Sequence, residues 1–179
     1  MTELSTPREH PSRGLLVVLL GAIVIAVLHL DGDSKEWALA SLAQAELEVV
    51  PGLNLRLVRT PDVFGLTGTG KTAFLIAGLF ILVSGTVWVM VRVLRGNGYL
   101  VTLAMGLFFV ALWANMIDRA TRGEGRLDGS AVDFITVAGL SAINVADICA
   151  GIGLLAWIIV VASTRIRRAA LRGTVLKSD

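Results

Sequence analysis

Six polar residues stand where an otherwise apolar chain should not carry them. Asn115, Asp118 and Arg119 close one apolar block, Asp133 follows in a short linker, and Asn144 and Asp147 open the next block. Asn115 and Asp118 are one helical turn apart and therefore share a face. An ionisable group in mid-membrane costs on the order of 2.5–3.5 kcal/mol on insertion scales, so such residues are read first as functional. An interfacial Asp118–Arg119 pair and a helix-capping Asp147 would explain one acid. They explain poorly three acids and two asparagines at one depth, with Arg119 as the nearby base.

The chemistry that fits is that of two carboxylates sharing a proton. Like charges at close range cannot both ionise, so one acid stays protonated while the other serves as base. The base takes a proton from water, the water attacks an amide carbonyl, and the acid protonates the carbonyl oxygen. Other chemistries lack parts. His10 and His29 lie far from the acids, and Ser130 and Ser141 have no basic partner in sequence reach. The single Cys149 excludes a disulfide framework and a cysteine-based metal site. A hard cation would want more oxygen ligands and no competing Arg. No metal and no cofactor are expected.

The elements that must position these residues are membrane helices. Of 179 residues, 55% are hydrophobic and 17% charged, with the excess gathered in four blocks: 14–30, 72–91, 99–117 and 143–162. Each has about the roughly 17–25 residues a helix needs to cross the hydrocarbon core. The first block is longer than a secretory signal's usual ~7–15 residue apolar core, and charged residues follow it, so it reads as a retained span. The sequence predicts an all-α membrane protein, with four transmembrane helices and a small extracytoplasmic β/amphipathic-helix element. One membrane domain covers 14–163, between a cytoplasmic tail at 1–13 and a basic one at 164–179.

Charge sets the direction. Nine basic residues and three acidic ones fall in the two tails and the middle loop, against seven basic and eleven acidic residues elsewhere. Both termini are therefore expected in the cytoplasm, with 31–71 and 118–133 outside. Basic residues so placed are topology signals, and no nucleic-acid partner is expected. Within the first outer loop, 35–50 puts Trp37, Ala38, Ser41, Leu42, Ala45 and Val49 on one face. That pattern predicts a short helix lying at the membrane surface. Pro51–Gly52 breaks it, and the alternation at Leu53, Leu55 and Leu57 predicts a half-buried strand.

Residues 65–72 match the phosphate-binding pattern G-x-x-x-x-G-K-T, ending in Gly70, Lys71 and Thr72. The match is accidental on physical grounds. The helix it opens is a membrane span, and no apolar strand ends in an Asp that could hold magnesium. No nucleotide is expected to bind.

Taken in order, the polar motifs resemble those of the lipoprotein signal peptidases (signal peptidase II), four-span aspartic endopeptidases of bacterial plasma membranes. The carrying residues are Asn115-Met-Ile-Asp118-Arg119, Gly129-Ser-Ala-Val132-Asp133-Phe134, Asn144-Val-Ala-Asp147 and Asp31-Gly-Asp-Ser34-Lys35. The resemblance implies that Asp133 and Asp147 are the catalytic pair, near the extracytoplasmic face. It implies that Asn115, Asp118, Arg119, Asn144, Asp31 and Lys35 shape and support the site. The implied substrates, met in membrane lipid, are prolipoproteins with diacylglyceryl on a cysteine, cut just before that cysteine. The chain also departs from the family. Arg59 and Pro61 replace a usual Asn and Gly, Ala111 and Ala114 stand at usual glycines, Ile143 replaces a Phe, and the stretch 119–129 is longer. Arg59 and Pro61 keep a second reading open, that of a paralogue binding lipoproteins or lipids without turnover or with altered specificity.

Overall fold

A computed structural model describes residues 12–44, 46–60, 68–96, 98–122, 130–138 and 140–175. In chain order the elements are α1 (Arg13–Ser41), β1 (Leu47–Val50), β2 (Leu53–Thr60), α2 (Gly68–Arg95), α3 (Tyr99–Thr121), β3 (Ala131–Val137) and α4 (Val145–Val175). All four helices are long and apolar enough to cross a membrane, with mean hydropathy between 2.1 and 2.5 over their best stretches. Large apolar side chains such as Val18, Ile25, Phe80, Ile81 and Leu155 point outward. A water-soluble bundle would bury them. Here lipid is their solvent, and the helices pack instead through small residues.

The packing core is Val27 of α1, Val110, Ala111 and Ala114 of α3, and Ala146 of α4. Ala111 is fully buried, so the alanines at positions where the family usually has glycine are still small enough for close approach. Gly153 of α4 lies directly against the backbone of α3. A Cβ there would stand 2.7 Å from Phe108 N and 2.8 Å from Ala104 O, both backbone atoms that cannot rotate away. We expect Gly153→Val to push α3 and α4 apart, lower thermal stability by the ~1–3 kcal/mol typical of overpacking, and cut activity. Gly151→Ala, with nothing within 4 Å, serves as the neutral control. Thermal unfolding in detergent checks both, and equal melting of the two variants would refute the close-contact account.

The first helix corrects an expectation. Residues 35–50 do not form a separate surface helix, because α1 runs unbroken from Arg13 to Ser41 and the remainder turns into β1. The run of charges from Asp31 to Glu36 looks like a helix end. However, Asp31 and Lys35 are four residues apart and pair within the helix, and both are buried against other helices. Tertiary burial thus carries the helix past Gly32. Beyond the charges, Ala38 and Leu42 pack on Phe134 of β3, and Trp37 meets Phe134 edge to face at 6.3 Å.

The strands form one antiparallel sheet in the order β1-β2-β3. Gly52, with φ of 87°, makes the β1–β2 turn at the predicted break, and the predicted strand appears as β2. In the β2–β3 register Leu55 faces Ile135, Val58 faces Asp133 and Arg59 faces Val132, with a bulge between Leu55 and Val58. Ile143 then bridges to Ile135, which leads the chain back over β3 and into α4. The basic stretch beyond 163 continues α4 as helix to Val175.

Candidate active site

The bundle end that carries the sheet gathers most of the residues singled out from the sequence. α4 begins with a reciprocal cap. Asn144 Oδ1 accepts from Asp147 N at 3.0 Å, and Asp147 Oδ2 accepts from Asn144 N at 3.1 Å. This is the Asn version of a capping box, in which two otherwise orphan donors are satisfied at once. A third is met from afar: Ala146 N donates to Asp31 Oδ1 at 2.8 Å. Carboxylates here also complement the helix dipole.

The cap does more than end a helix. Asn144, with no exposed surface, turns its Nδ2 to Asp133 Oδ1 at 2.7 Å while its backbone N holds Asp147. The same Nδ2 reaches Asn115 Oδ1 at 3.0 Å, and Asn115 Nδ2 donates to Asp147 Oδ1 at 2.8 Å. Two asparagines therefore link both carboxyl groups, one on β3 and one on α4. Asp133 is buried, and Asp147 is partly buried.

Behind this pair lies a charged centre. Lys35, also with no exposed surface, places Nζ 2.6 Å from Asp31 Oδ2, 2.6 Å from Asp118 Oδ2 and 3.0 Å from Asn115 Oδ1. Asp31 and Asn115 accept hydrogen bonds from this ammonium, and Asp118 completes the set as an ion pair. Asp118 Oδ1 accepts from Arg122 Nε at 2.8 Å, and Arg122 Nη2 donates to Glu36 Oε1 at 2.8 Å. The base expected beside Asp118 was Arg119. The contacts to Asp118 come instead from Lys35 and Arg122, since Arg122 lies four residues on and returns to the same helix face. Arg119, partly buried, lines an apolar cavity of about 310 Å³ between α2 and α3, with Phe74, Leu82, Asn115 and Met116. Arg122 and Glu36 were not foreseen. The i,i+4 spacing of Asp118 and Arg122 was the available signal.

Arg59 is exposed beside the Val58–Asp133 pair, while Pro61, Gly65 and 123–129 lie outside the described residues. Lys71 and Thr72 fall in the first turns of α2, a membrane-length helix. That is not the setting of a phosphate loop ahead of a parallel sheet. Among the described residues, no three His, Cys, Asp or Glu side chains are grouped to hold a metal ion.

Four helices long and apolar enough to cross a membrane, with a three-stranded sheet at one end and a buried acid–amide network beneath it, define a multi-pass membrane protein. The match to the family of signal peptidase (SPase) II covers residues 23–163, and the chain belongs to that family. It is a membrane protease. The lipoprotein signal peptidase of Bifidobacterium adolescentis is 36% identical over 134 residues, covering 74% of this chain and 70% of the relative. That of Bifidobacterium longum is 34% identical, covering 74% and 71%. That of Rhodococcus jostii is 29% identical over 149 residues, covering 79% and 69%. A bacterial membrane enzyme solved by the in meso method at 1.9 Å is similar in fold, with TM-score 0.61 and 25% identity. The match covers 83% of this chain and 92% of that one.

Proposed function

We propose that the protein is an aspartic endopeptidase that removes signal peptides from diacylglyceryl-modified prolipoproteins, cutting just before the lipidated cysteine. The observation that carries the mechanism is the Asn144 bridge, which contacts Asp133 with its side chain and Asp147 with its backbone. A water between the two carboxyls loses a proton to one and attacks the scissile carbonyl, while the other donates its proton to the carbonyl oxygen. The proton is shared by the pair and belongs to neither residue alone. The largely apolar cavity lined by Asn115 and Arg119 gives a lipid-bearing substrate a seat one contact from the acids, since Asn115 also holds Asp147.

The test is cleavage of a prolipoprotein carrying diacylglyceryl on its cysteine, by purified protein in liposomes. Mass spectrometry of the product should show that cysteine at the new N-terminus, and the unlipidated precursor should be cut poorly. No cleavage of either precursor would favour the non-catalytic reading that Arg59, exposed on β2 and paired with Val132, keeps open.

The same reading puts both termini in the cytoplasm of a bacterial plasma membrane and the site near the outer face. Reporter fusions truncated after Ala138 and after Arg172 should report opposite sides, the first outside. Both reporting the cytoplasm would sink the four-span orientation.

A further inference from the structure

The dyad is linked to the bundle surface by a continuous run of contacts that ends in a residue outside the recognised motifs. Arg122 Nε holds Asp118 Oδ1 at 2.8 Å, and Lys35 Nζ sits 2.6 Å from the other oxygen, Asp118 Oδ2. Lys35 then holds Asn115 Oδ1 at 3.0 Å, and Asn115 Nδ2 donates to Asp147 Oδ1 at 2.8 Å. We propose that Arg122 is a positioning residue for the reaction, acting on Asp147 through Asp118, Lys35 and Asn115. This rests on the reading of Asp133 and Asp147 as the catalytic pair.

The argument begins with charge. Lys35 is a single cation set between the carboxylates of Asp31 and Asp118 and an amide oxygen. All three contacts involve the ammonium, but only Asp31 and Asp118 offer it an opposite full charge, so the uncharged amide is the weakest of the three claims on it. Arg122 neutralises Asp118 from the opposite oxygen. Without Arg122, Asp118 has more to gain from Lys35, and Lys35 moves away from Asn115.

The orientation of Asn115 depends on that contact. An amide is asymmetric, and its oxygen must face Lys35 and Asn144 for its NH₂ to face Asp147. Once the oxygen is released the amide can turn, and Asp147 loses a donor. Glu36 steadies Arg122 from the outside, through Nη2 at 2.8 Å, while being well exposed itself. A guanidinium can hold two acids at once because its donors form a fixed fork.

The experiment measures kcat and KM for a lipidated prolipoprotein with wild type, Arg122→Gln and Arg122→Lys, alongside thermal unfolding. Arg56→Gln is the charge-matched control, being an exposed sheet residue outside the network. Arg122→Gln should lower kcat about tenfold with KM within about twofold, the pattern of a lost transition-state contribution. Arg122→Lys should recover part of kcat by keeping a cation. Expressing rates per folded enzyme, from the unfolding data, separates positioning from loss of fold, and Arg122→Lys supplies the answer should Arg122→Gln not fold.

A double-mutant cycle with Asp118→Asn then tests the route, in single-turnover assays with enzyme in excess so that slow variants stay measurable. If Arg122 acts through Asp118, adding Arg122→Gln to Asp118→Asn costs less than twofold more. Multiplicative losses, or kcat per folded Arg122→Gln equal to wild type, would overturn the proposal. Wild-type failure to cleave would instead count against the proposed function itself.

Discussion

Asp133→Asn and Asp147→Asn are each expected to abolish cleavage of lipidated prolipoprotein, by a factor of about 10³ or more, the scale of a lost general acid or base. An amide cannot take a proton from water at neutral pH, nor supply one as a carboxylic acid does. Geometry adds to the loss at Asp147. Both its oxygens accept hydrogen bonds, Oδ1 from Asn115 and Oδ2 from Asn144, so an amide there must point its own NH₂ at one of two donors. The double variant is expected to be little worse than either single, because the two acids act as a unit. Abundance and membrane insertion stay normal, since removing a charge near lipid does not penalise insertion. Quantitative cleavage assays on membranes with matched protein levels make the check. Near wild-type turnover by either single variant would end the dyad mechanism for this chain.

Lys35→Met is the change expected to harm the fold most. The ammonium is wholly buried and sits between two carboxylates, Asp31 and Asp118, that are themselves buried. Removing it leaves those acids with an uncompensated interaction, and breaking a buried ion pair from one side costs about 3–5 kcal/mol. A fall in melting temperature on the order of 10 °C should follow. Asp31 would also hold the start of α4 less firmly, because its Oδ1 receives Ala146 N. Replacing Asp31 and Asp118 by Asn in the Lys35→Met background should recover part of the stability, as the unmatched charges go with them. The measurement is thermal unfolding in one detergent for the three proteins. Unchanged melting of Lys35→Met would mean that this centre contributes little to stability.

The spans were legible because a membrane allows few solutions: long apolar runs must be helices, and polar residues within them stand out by their cost. That is how Asn115, Asp118, Asn144 and Asp147 could be found one by one. Their wiring was not legible. Lys35 lies 80 residues from Asn115 and Asp31 lies 115 from Ala146, distances over which periodicity carries no information. The charged run at the end of the first span misled for a related reason. Asp31 and Lys35 look like solvated loop residues until three helices are brought together around them. Arg122 was hidden by Arg119, the nearer base in sequence, although helical geometry favours the one a full turn away from Asp118. β3 was obscured in another way, its run Ala131–Val137 being apolar on both sides of Asp133 with no clean alternation.

The unbroken course of α1 makes the enzyme a ruler. Asp31 stands 18 residues beyond Arg13 on one rigid rod, about 27 Å at the ~1.5 Å rise of an α-helix. The distance of the charged centre from the far end of α1 is thus written in a residue count, independent of side-chain identity. One residue inserted below Asp31 would lift Asp31 and Lys35 by ~1.5 Å and swing both by ~100°, away from Asn115 and Ala146. Four inserted residues would nearly restore the facing direction but raise the pair by ~6 Å, past the partners that hold them. Length in this helix is therefore constrained as tightly as chemistry.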